Sequence, residues 1–425
     1  MKIAVIGSGI SGLVSAWQLS KKYQVTLFEK NAELGGHTAT KDIDFNGKQY
    51  AIDTGFIVFN DWTYPNFNRF LDLLDVEHQP TTMSFSVKNT ASGLEYNGHT
   101  LSTLFAQKRN WLNPKFYCFL AEIIKFNKLS KKLLAGQIDN SGSVLDLSLG
   151  EFLAEFKFSD YFKQNYILAM GAAIWSSGLE EMKAFPLRFF LRFFNNHGLL
   201  NISHRPQWSV VKGGSKQYIQ ALLKEMQTVD IQLNANIQTV RRTRDTVEII
   251  TDGQVQTFDK LVFACHSDHA LQLLDTPTTD ETQVLGNIPY SNNQVILHTD
   301  SSLLPKRKAA WAAWNYYLSE QNPDTATLTY NMNILQGIQS ETTFCVTLNQ
   351  TEEIDPDKIL GHYQYSHPVF NLTSFKAQKQ RDTINGHNNT YYCGAYWYNG
   401  FHEDGIKSAL DVCKMLDVDD FYEGK

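Results

Sequence analysis

Residues 2–6 read as a short buried strand, and Gly7-Ser8-Gly9-Ile10-Ser11-Gly12 follows without a break. Residues 13–22 then have the apolar spacing of a helix, and Gln24-Val25-Thr26-Leu27-Phe28 reads as a second strand ending at Glu29. Strand, G-x-G-x-x-G turn, helix and strand make one βαβ unit, and few chains with this pattern can fold otherwise. Gly7 permits the tight turn, Gly9 lets backbone approach a pyrophosphate, and Gly12 lets the helix pack close to the strand. Ile10 and Ser11 open the helix, where free N–H groups face phosphate oxygens. Glu29 lies 20 residues after Gly9, with Lys30 beside it, where an acid accepts hydrogen bonds from a ribose. The unit predicts an α/β domain that binds a dinucleotide, without separating NAD from FAD.

Composition narrows the class. The 425 residues give room for two to three domains' worth of core, and 43% apolar with 19% charged residues excludes a disordered chain. A net charge of −6 argues against nucleic acid as the partner. Five widely spaced cysteines without a CxxC point away from a disulfide framework or zinc site, and we expect no metal. The first apolar run is too short for a signal peptide, and no uncharged stretch approaches the ~20 residues of a membrane span. The expected location is the cytoplasm, or the inner face of its membrane.

Later motifs extend the reading. Gly35-Gly36-His37-Thr38 follows the ribose acid, and Asp53-Thr54-Gly55 lies 17 residues beyond Gly36. Val210-Val211-Lys212-Gly213-Gly214-Ser215 leads into a helical segment, and residues 231–240, with Ile237, read as one strand. Residues 260–265 end a strand at Ala264. Near the distal end, residues 390–397 read as strand then loop through Gly394, and Asp404-Gly405-Ile406 enter a helix. In this order the motifs resemble the flavin-containing amine oxidase superfamily, whose dinucleotide domain is of the glutathione reductase type. The resemblance implies non-covalent FAD. It also implies cofactor contacts at Gly7, Gly9, Ile10, Ser11, Gly12, Glu29, Lys30, Gly35, Gly36, His37, Thr38, Thr54, Gly55, Ile237, Ala264, Gly394, Asp404, Gly405 and Ile406. The implied fold is α/β, a discontinuous Rossmann FAD domain over 1–85, 205–285 and 376–425. An α+β substrate domain, mixed sheet with a helical cap, takes 86–204 and 286–375.

Departures from the amine oxidase pattern point to the substrate. Residues 295–300 hold no lysine where the family carries one, and Phe401-His402-Glu403 alters its aromatic cage. The stretches GGHTAT, DTGFIVFN, FPLRFFLRFFNNHGLL and GFHEDG resemble a bacterial subgroup encoded beside cyclopropane-fatty-acid-synthase-like methyltransferases. That resemblance implies dehydrogenation of an unsaturated or methyl-branched acyl chain or phospholipid, with a neighbouring methyltransferase as partner. A double-bond isomerase and a peroxide-producing amine oxidase are the alternatives. Residues 185–194 combine five Phe and two Leu with Arg188 and Arg192, which fits either a membrane-surface helix or one packed in the cap. Residues 108–125 form a second such candidate. His402 is the expected catalytic acid or base beside the flavin. Trp314, Tyr316 and Trp397 are expected to wall the substrate cavity, together with Trp311, Asn315 and Tyr396. His266 and His269 are expected to be structural.

Overall fold

The structure is a computed structural model describing residues 1–138, 143–175, 178–319, 327–419 and 421. Five parallel strands form the central sheet, in the order Asp230–Gln232, Gln24–Phe28, Lys2–Ile6, Lys260–Phe263, Thr390–Tyr392. Its middle strands are apolar on both faces because helices cover one face and an antiparallel layer the other. On the helical side, Ile10–Ser20 and His402–Met415 pack together around Leu13, Val14, Ile406 and Ala409, all with no exposed surface. On the other side, Ile237–Arg242, Val247–Thr251 and Gln254–Phe258 form a three-stranded meander over Phe28, Leu261 and Phe263.

Residues 231–240 are therefore two strands rather than one. Asn234 takes a left-handed conformation (φ 53°), and the chain leaves the parallel sheet after Gln232 to join the meander at Ile237. A short polar side chain is what such a corner needs.

A second sheet has seven strands, in the order Ile359–Pro368, Tyr290–His298, Cys345–Leu348, Thr327–Asn331, Trp314–Leu318, Phe85–Asn89, Leu94–Asn97. All neighbours are antiparallel except Trp314–Leu318 with Phe85–Asn89. Helices from Pro114–Leu134 to Leu187–Asn196 stand against one end of this sheet and share its core through Val87, Tyr316 and Leu328. The mixed α/β architecture is thus the one the motifs implied.

The Phe-rich segment belongs to that core, which excludes the membrane-surface alternative for it. Leu187, Phe190, Leu191 and Phe194 are at most 1% exposed, and Phe193 is 6% exposed. Arg188 turns outward to pair with Asp146 at 2.8 Å. Burying four such side chains stabilises the domain by roughly 1.5–3 kcal/mol each, a gain exposure would forfeit. Among the described residues no helix is long and apolar enough to cross a membrane.

Candidate active site

Two helix N-termini converge on the glycine turn. A Cβ at Gly12 would lie 1.8 Å from the Gly7 carbonyl oxygen, so only glycine lets Ile10–Ser20 start this close to the first strand. A Cβ at Gly405 would lie 2.6 Å from Ile10 and 3.0 Å from Ser11 Oγ, which sets the start of His402–Met415 beside the start of the first helix. Both N-termini carry partial positive charge and unsatisfied N–H groups. Gly9 differs: its φ of −63° suits any residue, and a Cβ there meets no atom within 4 Å. Gly36 folds over it, 3.1 Å from Gly9 Cα for an added Cβ, while Gly35 N–H donates to Ser8 O at 3.1 Å.

Glu29 is tied to the same turn. It is 6% exposed, and its Oε2 accepts from Ser8 N–H (3.0 Å) and Ser8 Oγ–H (2.6 Å), its Oε1 from Asn31. Ala235 N–H donates to Glu29 O, which brings Ile237 to this end of the sheet. On the opposite rim, a Cβ at Gly7 would touch Ala264, and the next residues bring His266 and His269 beside His37, His367 and Lys30. His266 faces the charges of His37, His269, Lys30 and His367, and burial first and these neighbours second push it down to about 3. Its buried Nδ1 and Ser267 Oγ make no hydrogen bond within the protein. Asp268 lies in the same cluster, so three ligand-type side chains, His266, Asp268 and His269, meet where we expected only structural histidines. An open glycine approach, two helix N-termini, a buried acid at the end of the second strand and unpartnered polar atoms near Lys30 suit a dinucleotide diphosphate.

A second cluster is organised around His402. Its ring is 9% exposed and stacks on Phe56 at 3.5 Å with an interplanar angle of 8°. Nε2 sits between Thr38 Oγ1 (3.0 Å) and Tyr218 OH (3.1 Å), which also bond to each other. Burial, then the charge of His37, lowers its pKa well below the ordinary value, so the imidazole is neutral. Thr38 is delivered by the loop after Gly36, Tyr218 by Lys216–Glu225. That helix is anchored by Asp53, whose Oδ1 accepts from Ser215 N–H (2.9 Å), Ser215 Oγ–H (2.8 Å) and Thr40 Oγ–H (2.5 Å). Gln336, at the end of the short helix after strand Thr327–Asn331, donates to Asp53 Oδ2 at 2.9 Å. Burial still lifts the Asp53 carboxyl to about 6. Phe56, Tyr218 and Asp53 were not among the expected site residues. Their contacts span 13 to 346 positions of sequence, and although Asp53 stands in the Asp-Thr-Gly motif, nothing local marks these partners.

The remaining expected residues fall in different places. Gly55 lies under His37, its added Cβ 2.1 Å from the His37 carbonyl oxygen, and Thr54 Oγ1 bonds Tyr365 OH at 2.7 Å. Gly394 N–H donates to Ser408 Oγ at 2.8 Å. Asp404 turns back on its own helix: Oδ2 accepts from Phe401 N–H at 2.9 Å and Oδ1 from Asn399 at 3.2 Å, with burial lifting it to about 7. Its carboxylate is a cap, so only its backbone N–H is free for a cofactor. Trp314 and Tyr316 share one face of their strand, and Trp314 Nε1 and Tyr316 OH are buried without a partner. Trp311 precedes the strand and donates Nε1–H to Pro305 O at 2.8 Å. Trp397 packs in the core under the meander, 4.9 Å from Tyr396 and 5.4 Å from the Arg381 guanidinium, and its Nε1, like Tyr396 OH, is buried without a partner.

An aromatic layer joins Phe401, the residue before His402, to the helical cap. Phe401 stacks on Phe193 at 5.2 Å, and Phe189 reaches Phe375 at 4.5 Å and Phe370 at 6.0 Å. Of the seven strands in the second sheet, only Phe85–Asn89 carries a lysine, and Lys88 donates to the carbonyls of Ser302 (2.8 Å) and Leu304 (3.2 Å).

A family model for flavin containing amine oxidoreductases matches residues 10–416. The chain belongs to this family. Two curated relatives are similar over shorter stretches. A 4,4'-diapophytoene desaturase (4,4'-diaponeurosporene-forming) of Staphylococcus haemolyticus is 24% identical over 298 residues, 63% of this chain and 55% of that protein. A 4,4'-diapolycopen-4-al dehydrogenase of Metabacillus indicus is 53% identical over 57 residues, 13% of this chain and 11% of that protein. The chain thus spans about half or less of the length of these relatives. A protoporphyrinogen oxidase structure from Exiguobacterium sp. 255-15 superposes with a TM-score of 0.70 at 15% identity, over 98% of each chain. A fatty acid isomerase from P. acnes gives 0.68 at 15% identity, over 97% of this chain and 98% of that one. At these identities the structural likeness is one of fold.

Proposed function

We propose that this family member is an FAD-dependent oxidoreductase that dehydrogenates a long apolar chain, an unsaturated or methyl-branched fatty acyl group, with FAD held non-covalently. The carrying observation is the aromatic layer Phe189, Phe193, Phe370, Phe375 and Phe401, which ends at the residue preceding His402. An amine substrate would call for a carboxylate or aromatic cage at that point. Here Glu403 and Asp404 are committed to helix N-termini at Asn66–Phe67 and Phe401. The sequence similarity to a desaturase points the same way.

A flavin bound along the glycine turn would supply the hydride acceptor, the part of the chemistry that side chains cannot provide. The protein's share is positioning, exclusion of water and handling of the proton. The Phe layer orients an alkyl chain and keeps the site dry. The two helix N-termini favour negative charge at the end of the pocket they face. His402, neutral because it is buried, is the proton-accepting group in this reading, with Thr38 and Tyr218 fixing its ring. Loss of hydride and proton from adjacent carbons leaves a new double bond, so the substrate loses two hydrogen atoms.

The test is mass spectrometry of acyl chains after incubating the FAD-loaded protein with phospholipids bearing monounsaturated and methyl-branched chains. Loss of two hydrogens supports the proposal. A shifted double bond at unchanged mass would replace it with isomerisation. Unchanged lipid, with hydrogen peroxide formed from an amine, would overturn it.

A further inference from the structure

We infer that the outer face of the helical cap around Lys108–Leu112 and Pro114–Leu134 is a docking surface for an anionic phospholipid bilayer. Three observations carry this. First, the turn Lys108–Leu112 projects large apolar groups into solvent: Leu112 is 91% exposed and Trp111 56%, with Leu101 at 76% nearby. Trp111 is held in that position by stacking on the buried Phe105 at 4.1 Å, so its exposure is built rather than incidental. Second, the helix that follows is two-faced. Phe116, Phe119, Phe126, Ser130 and Leu133 face the core, while Tyr117, Ala121, Ile124, Lys128 and Lys131 recur every three or four residues on the solvent side. Tyr117 and Ile124 are 46% and 42% exposed. Third, the charge is segregated. Residues 101–132 carry seven Lys and Arg against one acid, Glu122, in a chain whose net charge is −6. Glu122 is itself engaged by Ser159, at 2.7 Å to its N–H and 2.5 Å to its Oγ.

Apolar aromatics at one end, an amphipathic helix lying along the surface and a rim of lysines match the way interfacial helices seat themselves: rings in the acyl boundary, ammonium groups at the phosphates. A protein partner with an acidic face would meet the lysines but leave Trp111 and Leu112 without an apolar counterpart, so the bilayer is the occupant that uses both features. The shallow cleft lined by Arg109, Asn110, Leu112 and Tyr161, and its neighbour lined by Lys115, Lys157 and Tyr161, place cations where lipid headgroups would lie. The inference is independent of which chain is dehydrogenated, although it would set the site beside a supply of acyl lipid.

The experiment is co-sedimentation of the FAD-loaded protein with large vesicles of dimyristoyl phosphatidylglycerol and phosphatidylcholine, and with vesicles of the neutral lipid alone. The saturated chains separate docking from turnover. We expect binding to the anionic vesicles that is at least tenfold tighter than to neutral ones and weakens at about 0.5 M salt. The paired substitutions Trp111→Ser with Leu112→Ser, and Lys128→Glu with Lys132→Glu, should each weaken it tenfold or more. Near-UV circular dichroism would verify that these surface variants retain the parent fold. Failure of the parent to sediment, equal binding to neutral vesicles, or parent-like binding by folded variants of both pairs would overturn the inference.

Discussion

Gly9→Ala separates what the fold needs from what a ligand needs. The backbone at Gly9 is extended, φ −63° and ψ 176°, and an added Cβ meets nothing within 4 Å. Alanine restricts the unfolded chain, which favours folding by about 0.4–1 kcal/mol at a compatible position. Gly9 also caps the first helix, and alanine is the poorer cap by roughly 0.5–1 kcal/mol. The two effects nearly cancel, so the protein without cofactor should keep its stability to within about 1 kcal/mol. With FAD bound, the same methyl group would occupy the line along which the pyrophosphate approaches the backbone. Overpacking of that kind costs about 1–3 kcal/mol, or roughly five- to 150-fold in the dissociation constant. Urea unfolding of the cofactor-free proteins gives the first quantity, and quenching of FAD fluorescence on titration gives the second. A variant that binds FAD like the parent would refute the placement of the pyrophosphate. A loss of more than about 2 kcal/mol in the cofactor-free protein would show instead that the fold itself requires glycine there. Gly12→Ala is the contrast: its Cβ would lie 1.8 Å from the Gly7 carbonyl oxygen, so stability and FAD binding should fall together.

His402→Gln should lower the turnover number about 100-fold or more if the imidazole accepts the proton. Because burial holds its pKa well below 6.5 and the neutral form is the active one, the parent's rate should show no acid limb near pH 6.5, only one at distinctly lower pH; an inflection at 6.5 would contradict the buried, neutral imidazole. His197 is held down to about 4 by burial against Phe193, so the unfolded chain binds the proton first as pH falls through 6.5. Stability from this group is complete above about pH 6.5 and is lost toward pH 4, amounting to about 2.5 kcal/mol by pH 4.5. His197→Gln should remove that part of the acid sensitivity in urea melts at pH 7 and 4.5, and an unchanged difference would refute it. Arg242 and Glu281 form an ion pair with side chains only 6% and 2% exposed, and Glu281 also accepts from Tyr392 OH at 2.7 Å. Arg242→Met leaves that carboxylate uncompensated and should cost about 3–5 kcal/mol in thermal or urea unfolding.

Local sequence carried the parts of the molecule in which neighbours along the chain are neighbours in space. The glycine turn, its flanking strands and Glu29 lie within 28 residues, and each follows from backbone geometry that only certain residues allow. The Gly35-Gly36 loop and the Phe401–Gly405 helix start were legible for the same reason. The direction in which the Phe-rich helix faces was not. Its pattern shows that one side is apolar, but Phe370, Phe375 and Phe401, which cover it, come almost two hundred residues later. The ring of hydroxyls around His402 joins residues 184 and 364 positions apart, a distance at which spacing in sequence says nothing. Asp53 was visible as part of Asp-Thr-Gly, yet its work, joining Ser215 to Gln336, exists only after both sheets have formed.

The most direct test of the central claim is the visible spectrum of the FAD-loaded protein, held anaerobic, while phospholipid with monounsaturated or methyl-branched chains is added. Bleaching of the flavin band in step with the appearance of a new double bond is the predicted result. A spectrum that stays oxidised with those lipids, yet bleaches with an amine, would contradict it.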